Sequence, residues 1–152
     1  MTPEPTSSRP STGAVPGAPP VRVLVAEDVP ELRRALVSWL SKVPGIEVVG
    51  DVGDGQEAVD GAAALLPDVV LMDVRMPNLD GIEATKIIAS RHPEVAVLML
   101  SAYGEESFIL EALVAGARGY LLKESPPREV EQAVFRVAQG HTMTVDEPAP
   151  QD

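Results

Sequence analysis

Five residues in this chain have the types that hold a hard cation and act on an anionic group: the adjacent acids Glu27 and Asp28, a third carboxylate at Asp73, a hydroxyl at Ser101 and an ammonium at Lys123. Each follows a short apolar run. If those runs are parallel strands, their carboxyl ends converge on one cleft, which is where open α/β sheets bind ligands. Three carboxylates brought together repel by roughly 4 kcal/mol per pair at ~4 Å and an effective dielectric of ~20, so the cluster calls for a cation. With oxygen donors and no nearby His or Cys, Mg²⁺ suits the set, because it binds through a few carboxylates and keeps waters and phosphate oxygens around it. Singly, each residue has an ordinary structural reading. An acid before a helix caps it, an Asp or Ser after a strand turns the chain, and a Lys is a solvated charge. Their coincidence at the same ends of separate strands has no such reading.

The elements that must position them follow from apolar patterning. Val21–Val25, Glu47–Gly50, Asp68–Met72, Val95–Leu100 and Gly119–Leu122 are expected strands. Three are almost continuously apolar, the mark of strands covered on both faces. Helical spacing appears at Leu32, Ala35, Leu36, Leu40 and Val43, at Ala58, Val59, Ala62, Ala63 and Leu66, and at Val130, Ala133, Val134, Val137 and Ala138. Pro126 and Pro127 open the last helix and Gly140 closes it. Alternating βα units over about 120 residues imply an α/β fold, a flavodoxin-like doubly wound five-stranded parallel sheet with five helices. Residues 1–20, rich in Pro, Ser, Thr and Gly, are expected to be a disordered arm, residues 21–140 the folded domain, and residues 141–152 a disordered acidic tail.

The string Glu27-Asp28, Val70-Leu-Met-Asp73-Val-Arg-Met-Pro77, Asp80-Gly81, Ser101-Ala102 and Gly119-Tyr-Leu-Leu-Lys123 resembles the receiver domains of bacterial two-component response regulators, most closely the NarL/LuxR-like branch. The resemblance covers essentially the whole folded unit. It implies that Asp73 is the nucleophile toward a phosphohistidine of a sensor histidine kinase. It further implies that Glu27, Asp28, Asp73 and the backbone carbonyl of Arg75 hold Mg²⁺, and that Lys123 binds a phosphoryl oxygen. Ser101 would swing its hydroxyl onto the phosphoryl group and Tyr120 would turn inward with it, changing contacts with a homodimer mate or downstream protein. Such a domain is a signalling module, not an enzyme on external substrates; it catalyses only its own phosphorylation and dephosphorylation. Lys123 is followed by Glu124, not by the Pro of many receivers, so a cis bond is not implied. Nothing resembling a helix-turn-helix follows residue 140, so the chain reads as a receiver alone, free-standing or cut from a longer protein.

Other functions fit the residues less well. A flavin or dinucleotide site needs a phosphate-cradling Gly, Ser or Thr loop after the first strand, and Ala26-Glu-Asp-Val-Pro30 would repel phosphate without a metal. A phosphatase of the haloacid-dehalogenase type would carry a second Asp at position 75, which is Arg. A phosphorylation-independent pseudo-receiver, acting only as a protein-binding module, would lack part of the acid pair, the acceptor or the Lys. With 23 Asp and Glu against 12 Lys and Arg the formal charge is -11, which opposes direct nucleic-acid binding. No Cys is present, no apolar run approaches the ~20 residues of a membrane span, and the N-terminus has no signal-peptide pattern, so a cytoplasmic location is expected. Trp39, Met72, Met76 and Met99 are expected in packing roles, and His92 and His141 lie apart in a helix-end loop and the tail.

Overall fold

The computed structural model describes residues 17–144. The expected arm up to residue 16 and the tail from residue 145 therefore lie outside the described residues. In chain order the elements are β1 (Val21–Ala26), α1 (Pro30–Leu40), β2 (Ile46–Val52), α2 (Gly55–Leu65), β3 (Val69–Met72), α3 (Gly81–Arg91), β4 (Ala96–Ser101), α4 (Glu106–Ala115), β5 (Gly119–Leu122), α5 (Pro127–Ala138) and β6 (Met143–Thr144). The sheet order is β2-β1-β3-β4-β5-β6 with every pairing parallel. The five expected strands form its body.

Strand periodicity divides the core between two faces. Leu24, Ala26, Val70, Met72, Val97 and Met99 face α2, α3 and α4, while Val23, Val25, Val69, Leu71, Leu98 and Leu100 face α1 and α5. Because both sets are buried, slipping a central strand by one residue would exchange the faces without exposing either, so register must be pinned at the strand ends. Polar anchors do this. Asp54 and Asp80 cap α2 and α3 by accepting from Glu57 N at 2.7 Å and Glu83 N at 2.8 Å. Arg22 on β1 donates to the carbonyls of Leu65 and Leu66 at the end of α2. Trp39 packs against the second face and donates Nε1 to Glu131 Oε2 at 3.0 Å, joining α1 to α5. Met72, Met76 and Met99 are buried.

The strand bounds shift by one or two residues from the apolar runs, with β2 spanning Ile46–Val52, and the elements differ from the pattern at three further places. Val43, read with α1, is buried but lies in the turn after that helix, which stops at Leu40. Leu66, read with α2, is its left-handed cap at φ 46° and is 49% exposed. The tail expected from residue 141 begins instead with β6. Gly140, at φ +98°, reverses the chain, and Met143 N donates to Arg118 O at 2.8 Å so that Met143 pairs with Gly119. Two residues give no alternation to read; the strand exists because β5 offers an open edge and the core accepts Met143.

Candidate functional site

The site is assembled at the residues just past the ends of β1, β3 and β5 and at the last residue of β4. Asp73 N donates to Ala26 O at 3.0 Å, setting the acceptor carboxylate beside the end of β1. Glu27 N donates to Val52 O at 3.0 Å, and Lys123 N donates to Ser101 O at 2.8 Å. Four strands thereby fix Glu27, Asp73, Ser101 and Lys123 in one row, with β1 and β3 adjacent at the point where the winding reverses. On the far side of Asp73, Gly81 opens α3, and its N donates to Val74 O at 2.7 Å.

Glu27, Asp28 and Asp73 each offer a carboxylate oxygen, and all three lie within 4.8 Å of one another. Glu27 and Asp73 are buried, Asp28 is the more open, and Lys123 bridges the buried pair with Nζ 2.8 Å from Glu27 Oε1 and 3.5 Å from Asp73 Oδ2. Burial, then the neighbouring Glu27 charge, push the Asp73 carboxyl up to about 6 against the partial relief given by Lys123, and Asp28 adds to the rise. Burial disfavours the Lys123 ammonium, but its hydrogen bond to Glu27 and the Asp73 charge prevail and hold it above its ordinary value. One ammonium thus faces three carboxylates. The deficit of positive charge, the all-oxygen donor set and the open side at Asp28 fit Mg²⁺. Arg75 stands two residues beyond Asp73 on the exposed loop, with its guanidinium over the Tyr103 and Phe108 rings at 5.2 and 5.4 Å.

Ser101 and Tyr120 meet at a shared neighbour. The buried Ser101 Oγ accepts from Tyr103 N at 2.9 Å, and the Tyr120 hydroxyl donates to Tyr103 O. One backbone unit of the β4–α4 loop is therefore gripped from both strands. Tyr120 already points inward and is fully buried. There is no cis peptide among the described residues, including the bond from Lys123 to Glu124.

Four participants stand outside the residues singled out in the sequence. Tyr103 and Phe108 stack at 5.6 Å and receive Arg75. Asn78, in the left-handed region at φ 70°, donates to Asp54 Oδ2 at 2.7 Å and ties the loop after β3 to the cap of α2. Arg33 reaches back from α1 to the carbonyl of Glu27. Only the Asn, a residue that tolerates positive φ, carried a signal.

Residues 23–135 match the response regulator receiver domain family. The transcriptional regulatory protein DegU of Brevibacillus brevis is 40% identical over 120 residues, covering 79% of this chain and 51% of that protein. The probable transcriptional regulatory protein NarL of Mycobacterium tuberculosis is also 40% identical over 120 residues, covering 79% of this chain and 56% of that protein. The chain thus spans about half the length of the curated relatives it matches. The solved signal receiver domain of the putative response regulator NarL from Mycobacterium tuberculosis superposes with a TM-score of 0.78 at 39% identity, covering 82% of this chain and 100% of that one. No helix among the described residues is long and apolar enough to cross a membrane. Fold, strand-end residues and relatives agree: the chain belongs to the response regulator receiver domain family, with relatives of the NarL, DegU and GacA type.

Proposed function

We propose that this receiver accepts a phosphoryl group on Asp73 from a phosphohistidine of a sensor histidine kinase and, once modified, changes its contacts with a second copy or a downstream protein. The observation that carries the reading is Lys123 Nζ set between Glu27 and the buried Asp73, with Asp28 beside them. An Asp73 oxygen attacks phosphorus, the bond from phosphorus to the histidine nitrogen breaks, and the imidazole leaves with the bonding pair. The Asp73 carboxyl, raised to about 6, is ionised near pH 7 and more basic than a solvent-exposed aspartate. Lys123 meets the charge gathering on the phosphoryl oxygens. Glu27, Asp28, Asp73 and the Arg75 carbonyl would hold Mg²⁺, which neutralises phosphoryl oxygens when bound. A Ser101 hydroxyl that turns toward the phosphoryl group gives up Tyr103 N, leaving the Tyr103 backbone with the Tyr120 hydroxyl as its strand partner. That converts a new charge into a loop rearrangement. A protein-binding role independent of phosphorylation would leave the complete acceptor set without a use.

The test is chemical. A small phosphodonor with Mg²⁺ should add one phosphoryl group, removed by hydroxylamine as an acyl phosphate is, and peptide mapping should place it at Asp73. Hydroxylamine-resistant label, or label elsewhere, would refute the assignment. Asp28→Ala should weaken Mg²⁺ binding by about tenfold or more, because loss of a partner one shell further out already costs that much in many metal sites. Calorimetry measures it, and unchanged affinity would move the metal away from Asp28.

A further inference from the structure

We propose that Arg33 is a positioning residue for the acidic pair, fixing the peptide between Glu27 and Asp28 so that both carboxylates face the cation; the inference rests on the Mg²⁺-dependent reading above. Arg33 sits one turn into α1, where its backbone N donates to Val29 O at 2.8 Å. From there its side chain doubles back over the start of the helix. Nη1 donates to Glu27 O at 2.7 Å, and Nε lies 3.8 Å from Asp51 Oδ2 at the end of β2.

The atom it holds decides the matter. Glu27 O belongs to the peptide plane that leads into Asp28, so anchoring it sets the direction in which Asp28 leaves the strand. The other polar atoms of Glu27 are held elsewhere: N by Val52 O, Oε1 by Lys123 and Oε2 by Val29 N at 3.1 Å. Those contacts orient the Glu27 side chain and its incoming peptide, and Arg33 supplies the contact on the outgoing one. The bond is charge-assisted and partly buried, which makes it stronger than the exposed approach to Asp51.

Space for the guanidinium comes from Gly53, where an added Cβ would stand 2.8 Å from Arg33 Nη1. The obstructing atom is the far end of a flexible side chain, so Gly53→Ala would displace the guanidinium while sparing the fold. Gly53 and Arg33 therefore act as one device, reached from the loop after β2 and from the first turn of α1. Lys at position 33 keeps the charge but lacks the fork that serves Glu27 and Asp51 together.

Arg33→Met should raise the Mg²⁺ dissociation constant measured by calorimetry about tenfold, and Arg33→Lys by less. Gly53→Ala should weaken binding in the same direction, yet add nothing in the Arg33→Met background. Labelling by a phosphodonor should slow at limiting Mg²⁺ and return to the parental rate when Mg²⁺ saturates, a recovery that general loosening of the fold would not give. If the parent binds Mg²⁺ and labels at Asp73 while Arg33→Met binds as tightly, or if the two substitutions are additive, Arg33 does not position the pair. A parent that binds no Mg²⁺ overturns the functional reading and this inference together.

Discussion

Asp73→Asn should abolish the hydroxylamine-labile label and, in the absence of Mg²⁺, make the folded domain more stable. The two effects have one origin, a carboxylate built into a site that does not favour its charge. Asp73 titrates near 6 in the folded chain against 3.8 for the ordinary group, so the native state binds its proton more tightly than the unfolded state does. Stability contributed by the protonated form is complete below the unfolded value, declines as pH rises through the interval, and is gone above the folded value. Near neutral pH the ionised carboxyl therefore destabilises the fold by about 3 kcal/mol, at 1.36 kcal/mol per pH unit, less what solvent screening at the open side of the site removes. An amide has no charge to crowd against Glu27 and Asp28. Thermal melts in chelator at about pH 7.5 should place Asp73→Asn roughly 5 °C or more above the parent. The advantage should shrink as pH falls toward about 4, where the parent is protonated as well. Mg²⁺ should stabilise the parent more than the variant, since it supplies the charge that the parent lacks. A variant that melts below its parent in chelator would show that Asp73 contributes favourable contacts outweighing the repulsion.

Gly81→Ala should be among the most damaging single methyl additions at the described residues. A Cβ at position 81 would stand 1.9 Å from Asp73 O and 3.1 Å from Met72 Cγ. Neither neighbour can yield cheaply. Asp73 is tied to Ala26 through its backbone N, and Gly81 itself donates to Val74 O, so relief requires moving α3 away from β3 or breaking the ladder beneath the acceptor. We expect a loss of about 3 kcal/mol or more in urea unfolding, in the range of severe overpacking. Gly140→Ala provides the contrast. Nothing lies within 4 Å of its added Cβ, and the penalty is that of a positive φ alone, roughly 1–2 kcal/mol. If Gly81→Ala unfolds at nearly the parental urea concentration, the close approach of α3 to the acceptor strand is not a constraint on the fold.

The sequence made the site more legible than its supports. Glu27, Asp73, Ser101 and Lys123 could be found because a strand announces its own end, where an apolar run such as Val69–Met72 or Ala96–Leu100 stops at a polar residue. Parallel winding then brings those ends together whatever lies between them. Arg33, Tyr103 and Phe108 gave no comparable signal. Their roles depend on where a long or planar side chain turns after leaving the backbone, and spacing along a helix does not encode that. β6 was missed for a different reason: a strand of two residues takes its stability from the edge it joins and has no pattern of its own. Val43 and Leu66 extended the helical periods by chance of position, the first as a buried turn residue and the second as a left-handed cap.

The two outer strands also bear on how this protein behaves when crowded. A parallel sheet with bare margins can recruit strands from neighbouring molecules and polymerise. Among the described residues one margin is β6, whose two-residue pairing is too brief to template a newcomer firmly. The opposite margin, β2, exposes Glu47 and Asp51, so that a second β2 laid alongside would set acid against acid. Both flanks thus discourage edge-on assembly, leaving the helical surfaces as the places where one molecule can meet another reversibly.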